Sequence, residues 1–290
     1  MAFTDLTVAN GWIPVDYASD PLLKDVGTSA VEAVARKENM TTDQRKVLRF
    51  VDSGVDVVAE GATIPLNDPD LDNVLLDAVK FANRYAFSSE DVEDAIVDAM
   101  AQARRSWLGN FAVKLDNAVL GVTGTGGPFE SVYRAVGSGN RQATAGDLTF
   151  EHLATAIGAM ETNQKGGLVV IAHPSIRMAL NGLKDADGTF VVDPFGRLSG
   201  GTPSLFGHDL TYSYGARTSA AVTDSPTGNP LLVVANKQSL ILGVRSGPES
   251  QVSKEAQWEN DNIELKMRAR RAFVLADADS ARVIEITAGA

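Results

Sequence analysis

The longest periodic pattern in the sequence runs from Val92 to Ala118 and predicts a single long helix. Its apolar side chains recur at helical spacing, at Val92, Ile96, Ala99, Ala103, Trp107, Phe111, Leu115 and Ala118. Ser88 with Asp91 forms a capping pattern at the start, and Gly121 is the predicted stop. About 30 residues at ~1.5 Å each make a rod of roughly 45 Å, much longer than an average helix. Such a rod fits poorly into a self-contained globule.

The segment before this helix predicts a β-hairpin with an exposed tip. Residues 46–58 and 74–87 have strand-like composition, whereas the stretch between them has two prolines, several acids and few apolar side chains. That stretch cannot form a core of its own. We therefore expect residues 46–87 to form a long hairpin, which is only marginally stable in isolation and must depend on other contacts.

The remaining segments indicate a mixed α and β chain. Residues 1–45 combine prolines and glycines with one short helical pattern capped by Ser29, which is typical of an arm. Further helices are predicted from about Leu148 and from Pro174. Apolar runs predict buried strands at residues 168–172, 231–235, 240–244 and 283–286. Residues 263–275 alternate apolar and basic side chains, so they predict a strand with one basic face.

Charge is distributed unevenly along the chain. Residues 51–100 contain twelve acidic side chains against Lys80 and Arg84, a net charge of −10, whereas all 290 residues carry −11. A chain this acidic should not coat nucleic acid by neutralising phosphates. A solvated acidic face explains the run, and a surface that meets a basic partner is the alternative. The predicted basic strand offers four cations, namely Lys266, Arg268, Arg270 and Arg271.

Neither the composition nor the motifs indicate an active site. Cysteine is absent, which excludes disulfides, thiolate metal sites and cysteine nucleophiles. The glycine-rich segment 121–128 follows a helix and lacks the Gly-Lys-Ser/Thr of a phosphate loop. The three histidines are far apart in the sequence, and no apolar run approaches the ~18 residues of a membrane span. We therefore expect no catalytic residue, no cofactor, no metal and no membrane contact.

Several short motifs follow one another in a characteristic order. They are Trp12-Ile13-Pro14, the Glu-Gly-Ala and proline within Ala59 to Pro65, Ser88 to Asp91, Leu205 to Leu210 with Ser213, and Arg268 to Phe273. In this order they resemble the major capsid proteins of tailed bacteriophages, whose Hong Kong 97 fold encapsulins share. The resemblance identifies them with the N-terminal arm, the extended loop, the start of the spine helix, a step in the axial domain and the final basic strand.

The resemblance implies an α+β fold with an N-terminal arm, an extended β-hairpin loop, a long spine helix, and peripheral and axial domains. The arm would span residues 1–45, and residues 46–87 would form the extended loop and a peripheral-domain strand. Residues 88–147 would form the spine helix and peripheral domain, and residues 148–255 the axial domain. Residues 256–290 would be C-terminal strands that return to the peripheral domain.

The resemblance also implies a function and a set of partners. We expect a shell subunit that self-assembles into hexamers and pentamers around double-stranded DNA, without sequence-specific binding. The expected location is the virion, and the host cytoplasm during assembly. The chain begins directly at the arm, which favours a separate scaffolding protein, and a portal and a decoration protein are further expected partners. An encapsulin-type nanocompartment with an enzyme cargo, and a soluble α/β enzyme, are the alternatives.

The two charged features predict where subunits meet. In the family, the extended loop lies over a neighbour's peripheral domain, where the final basic strand belongs. We therefore expect the acidic loop of one subunit to contact the basic face of the next. The expected contact residues are Glu60, Asp68, Asp70 and Asp72 on the loop, and Lys266, Arg268, Arg270 and Arg271 on the strand. Pairing of the arginines within their own sheet is the alternative.

Overall fold

The computed structural model describes residues 28–51, 55–66, 70–94, 98–145, 148–163, 167–183, 188, 204–222 and 225–287. The motif at Trp12-Ile13-Pro14 and the loop residue Asp68 lie outside these residues.

The described ranges contain α1 (Ala30–Val34), α2 (Ser89–Asp94), α3 (Ala99–Leu120), α4 (Val132–Ala135), α5 (Phe150–Asn163) and α6 (Arg177–Gly182). Their first six strands are β1 (Arg36–Asn39), β2 (Gln44–Val51), β3 (Asp70–Asp77), β4 (Val79–Ser88), β5 (Arg141–Ala145) and β6 (Leu168–Ala172). The others are β7 (Ser204–Leu205), β8 (His208–Tyr212), β9 (Leu231–Asn236), β10 (Leu240–Gln257), β11 (Asn262–Leu275) and β12 (Ala281–Thr287).

The first sheet has four strands in the order β1-β10-β11-β4 and packs against α3. Leu265, Met267 and Ala269 of β11 are buried in the same cluster as Trp107 and Phe111 of α3. Strand side chains alternate between faces, so the even-numbered residues of β11 lie on the face turned away from α3. The predicted strand with one apolar and one basic face is confirmed.

The second sheet has six strands in the order β5-β12-β9-β6-β8-β7. The central strands β6 and β9 are buried along their whole length, as their continuous apolar runs predict. Helix α5 packs on this sheet through Leu153, Ile157 and Met160.

The hairpin is shorter than residues 46–87. Strands β2 and β3 pair antiparallel from Gln44 opposite Asp77 to Val51 opposite Asp70. The chain then leaves the hairpin, and β4 joins the first sheet by pairing with β11. The root of the hairpin is fixed because Leu76 packs in a small cluster with Met40, Ile241 and Ala272. The hairpin is therefore anchored at one end of the face opposite α3.

The prediction of one continuous helix from Ser88 is wrong. Ser88 ends β4, α2 covers only Ser89–Asp94, and α3 begins after Asp98. Asp98 has an extended backbone, and its carboxylate accepts a hydrogen bond from the Ala101 amide at 2.9 Å. Aspartate favours this capping position over a helix interior, so it starts a new helix within the apolar pattern. The predicted stop at Gly121 is confirmed.

Candidate functional site

Five cations of β4 and β11 lie on the face of the first sheet that is turned away from α3. In an antiparallel pair, residues that stand directly opposite each other share a face. Lys266 of β11 stands opposite Arg84 of β4, and Arg270 stands opposite Lys80. Arg268 lies between them on β11. Like charges in directly opposite positions repel, so the isolated subunit holds an unfavourable set of charges there.

The two central arginines of this face pair with acids of the same chain. Arg268 Nη2 lies 3.0 Å from Glu249 Oε2, and Arg270 Nη1 lies 3.2 Å from Asp43 Oδ1. Asp43 also contacts Arg245. These partly exposed pairs contribute about 0–1 kcal/mol each. Part of the positive charge is therefore already balanced inside the subunit, in line with the alternative of pairing within the chain.

The other three cations of the basic face have little compensation. Lys80 and Lys266 are exposed, and neither has an ion-pair partner among the residues that the structure describes. The Arg84 side chain is 66% exposed and lies 3.5 Å from the buried carboxylate of Glu264. Arg84 and Lys266 line an open cleft of about 680 Å³ together with Val252. This end of the sheet therefore offers unbalanced positive charge to a partner.

The expectation that Arg271 belongs to the basic face is wrong. Its side chain is 5% exposed and lies on the α3 side of β11, because it is odd-numbered like the buried residues of that strand. Nη2 lies 2.8 Å from Glu32 Oε1 of α1, and Nη1 donates a hydrogen bond to the Ser246 carbonyl at 2.6 Å. The guanidinium also lies 5.5 Å from the Phe111 ring centroid. A guanidinium with these partners holds the core of the subunit together.

The acidic candidates are distributed along the hairpin. Glu60 is exposed beside Gly61, whose φ of +80° makes the turn of the tip. Asp72 is about half exposed and binds Arg49 on the opposite strand at 2.6 Å. Asp70 stands at the start of β3. The structure therefore places Glu60 and Asp72 in solvent. Asp72 is ion-paired, whereas Glu60 has no ion-pair partner among the described residues.

The hairpin also exposes apolar side chains. Exposed fractions between 76% and 102% are found at Leu48, Val55, Val57, Ile64 and Leu66. Single exposed apolar residues are normal on a protein surface, whereas four within the twelve residues 55–66 form a concentration that indicates a binding surface. We call residues 55–66 the tip. Sequence reasoning identified the tip as polar and acidic and missed its apolar component.

The described residues contain neither a cluster of metal-ligating side chains nor a membrane-spanning helix. Among the described residues, no three histidine, aspartate or glutamate side chains are placed to hold a metal ion. Within the same ranges, no helix combines the length and apolar character that a membrane span requires.

Comparison with known proteins gives one family and many related structures. The family model described as the phage capsid family matches residues 21–286. A search of curated proteins finds no match. The fold is similar to a Mycobacterium phage Bobi structure, with a TM-score of 0.74 and 20% identity over 98% of this chain and 99% of that chain. It is also similar to a Microbacterium phage Oxtober96 structure, with a TM-score of 0.71 and 18% identity over 98% and 100%.

A third similar structure is titled "Capsid of empty GTA particle computed with C5 symmetry". Its TM-score is 0.70, with 16% identity over 99% of this chain and 100% of that chain. At these identities the structures establish the fold, and the family match carries the classification.

Proposed function

Since the chain belongs to the phage capsid family, we propose that its copies form hexamers and pentamers that close into an icosahedral shell around double-stranded DNA. The chain is a capsid protein with the Hong Kong 97 fold, a structural component of a virion. The match to a phage capsid family favours this function over an encapsulin-type nanocompartment.

The observation that carries the proposal is the pair of complementary surfaces that each subunit leaves incomplete. The tip presents exposed apolar side chains and Glu60 to solvent. The far end of the first sheet presents Arg84 and Lys266, and Lys80 lies on the same face nearer the hairpin root. Both the tip and these cations are exposed in the subunit, so the tip does not cover the basic face of its own copy. We propose that the tip and acidic strand of one copy lie over the basic face of the next.

Apolar and charged side chains would contribute differently to this contact. Full burial of a valine, isoleucine or leucine is worth about 1.5–3 kcal/mol, whereas an exposed ion pair contributes about 0–1 kcal/mol. The apolar residues of the tip would therefore supply most of the free energy of association. The charges would select the partner surface and the register, because complementary charge mainly confers specificity.

We assign the other roles by the same family membership. The first sheet with α3 would be the peripheral domain, and the second sheet with α5 and α6 the axial domain. In this assignment β10 belongs to the peripheral domain and β5 and β12 belong to the axial domain, so the boundaries differ from those expected from the sequence. A separate scaffolding protein, a portal and a decoration protein are proposed partners. Assembly is proposed to take place in the host cytoplasm. No enzymatic role is proposed, because the surfaces described above are those of a structural subunit.

Electron microscopy of the purified protein tests the shell directly. Closed shells, sheets or tubes are the expected particles. A protein that stays a compact monomer or dimer under all assembly conditions would contradict self-assembly.

Charge reversal tests the contact separately from the shell. The triple variant Lys80→Glu, Arg84→Glu and Lys266→Glu should stay folded by circular dichroism and fail to assemble. The matched control, Lys80→Arg, Arg84→Lys and Lys266→Arg, keeps every charge and should assemble like the wild type. Lysines at Asp68, Asp70 and Asp72 should restore assembly to the triple variant. Normal assembly of the triple variant would refute the charge contact and leave the shell itself standing.

A further inference from the structure

One buried carboxylate holds three parts of the fold together. Asp116 lies in the second-last turn of α3 and is 1% exposed. Its Oδ1 accepts hydrogen bonds from Ser29 Oγ at 2.5 Å and from the Val31 amide at 3.2 Å. Its Oδ2 accepts from the Ala30 amide at 2.9 Å and from Ser213 Oγ at 2.5 Å. Three of these donors belong to the start of α1, and the fourth follows β8 in the second sheet.

On the α1 side, the carboxylate fixes where the helix begins. Ser29 caps α1, because its Oγ accepts a hydrogen bond from the Glu32 amide at 3.0 Å while it donates to Asp116. Glu32 in turn binds the buried Arg271 at 2.8 Å. The first turn of α1 is thus held at both its amides and its side chains.

On the side of the second sheet, Asn117, which is next to Asp116 in α3, forms hydrogen bonds with the segment 213–219. Asn117 Nδ2 donates hydrogen bonds to the carbonyls of Gly215 and Arg217 at 3.1 and 2.8 Å, and its Oδ1 accepts from Ser219 Oγ at 2.8 Å. Ser213 Oγ accepts from the Gly215 amide at 3.1 Å. A Cβ at Gly215 would lie 2.5 Å from the Asn117 amide nitrogen, so only glycine allows this approach. The segment therefore sits in a fixed position against α3.

No cation among the residues that the structure describes balances the Asp116 carboxylate. Burial raises its pKa to about 6, and the hydrogen bonds from Ser213, Ser29 and the two amides offset only part of this effect. Among the described residues, no charged side chain contributes to that pKa. The nearby charged side chains interact elsewhere. Glu32 on α1 forms an ion pair with Arg271, and the charge of Arg217 on the 213–219 segment lowers the pKa of His173. The charge is held by four donors alone, and each donor lost leaves a buried lone pair unsatisfied.

We propose that Asp116 couples the start of α1 to the segment 213–217, so that loosening either side loosens the other. The physical route is the carboxylate itself. If the Ser213 hydroxyl is lost, Oδ2 keeps only the Ala30 amide as a donor, so the buried carboxylate is destabilised in the position in which it also holds the start of α1. Coupling between two sites is reciprocal, so the loss of the Ser29 hydroxyl must loosen the 213–217 segment equally.

In a shell subunit, this coupling would let a contact on the second sheet alter the position of α1. That consequence depends on the proposed function. The coupling itself does not, and it can be measured in dilute subunits.

Amide hydrogen exchange in two single-hydroxyl variants tests the coupling. Ser213→Ala should speed exchange of the Ala30 and Val31 amides by about tenfold or more, although it lies on the other side of the junction. Ser29→Ala should speed exchange of the Gly215 amide by a similar factor. Ser213→Thr and Ser29→Thr keep a hydroxyl and should preserve the wild-type rates.

Two controls separate coupling from general loosening. Ser280→Ala removes another fully buried hydroxyl, which donates to the Asp277 carbonyl at 2.5 Å, and should leave both sides of the junction unchanged. Exchange within α5 should be unaffected in the Ser213 and Ser29 variants. Effects confined to the mutated side, with Ser213→Ala speeding only Gly215 and Ser29→Ala only α1, would overturn the proposal. Equal acceleration in α5 would overturn it as well, because it would show global destabilisation.

Discussion

The C-terminal half of α3 and the β2–β3 hairpin are built in opposite ways. In the helix, Leu115, Ala118, Val119 and Leu120 are completely buried, and the adjacent polar side chains find partners within the chain. In the hairpin and its tip, most described apolar side chains lie in solvent, and Leu76 at the root is the buried exception among them. One region is complete within a single chain, whereas the other becomes complete only against another surface. A shell subunit needs both a rigid body and an exposed surface that can bind a neighbouring subunit.

The same substitution in the two regions should have very different effects. Leu115→Ala removes a fully buried side chain and should lower the free energy of unfolding by about 2–5 kcal/mol. Leu48→Ala removes a side chain that is 76% exposed and should change it by no more than about 0.5 kcal/mol in dilute subunits. Urea unfolding followed by tryptophan fluorescence measures both.

The yield of assembled shells should not follow the stability of the free subunit in these variants. Leu48→Ala should reduce the yield of shells despite its normal stability, because the lost side chain belongs to the surface held for a neighbour. A Leu48→Ala protein that is several kcal/mol less stable as a free subunit would show that the hairpin is buried within its own chain.

Two buried titratable groups, both outside the hairpin, should make the stability of the subunit depend on pH. Burial raises the pKa of Asp116 from 3.8 to about 6, so the folded state takes up this proton at a higher pH than the unfolded state. The contribution to stability therefore falls as pH rises from about 4 to about 6, by roughly 3 kcal/mol. Burial and Arg217 lower the pKa of His173 from 6.5 to about 4, so its contribution rises over nearly the same range.

Single variants should separate these opposing contributions. Asp116→Asn should make the free energy of unfolding rise with pH between about 4 and 6.5, relative to the wild type. His173→Asn, which keeps an acceptor for the Ser175 amide that His173 Nδ1 binds at 3.1 Å, should make it fall. Urea titrations at several pH values measure the slopes. Parallel pH profiles for all three proteins would show that neither group has a shifted pKa.

The smallest expected effect is at the ion pair of the hairpin. Asp72→Asn removes the partner of Arg49, a pair whose side chains are 48% and 39% exposed. Its loss should lower subunit stability by at most about 1 kcal/mol and become negligible in high salt. Asp77→Asn, an exposed carboxylate at the root of the same hairpin, is the control. A larger loss at Asp72 than at the buried Leu115 would reverse the comparison between the regions.

Local patterns in the sequence predicted much of the fold. The alternation of Leu265 and Lys266 predicted β11 and its two faces, because a period of two assigns side chains without knowledge of the neighbouring strands. The cap at Ser29 and the stop at Gly121 are also local signals. The break before Asp98 was missed because apolar periodicity continues through it, and periodicity takes no account of a carboxylate that binds the Ala101 amide.

The composition of the basic face could not be predicted from local sequence patterns. Lys80 and Arg84 lie in the most acidic part of the chain, and only the register of β4 against β11 places them on the basic face. Arg271 stands next to Arg270 in sequence, yet alternation turns it to the other face. Arg270 pairs with Asp43, a residue 227 positions away. Contacts over such distances follow from topology, which short motifs do not specify.

Hydrogen exchange of the same protein as dilute subunits and as assembled shells tests the central claim most directly. The tip, residues 55–66, should exchange rapidly in dilute subunits and at least about tenfold more slowly in shells, because a neighbour covers it there. Residues 112–120 of α3 should be equally protected in both states. Equal protection of the tip in dilute subunits and in shells would contradict the account.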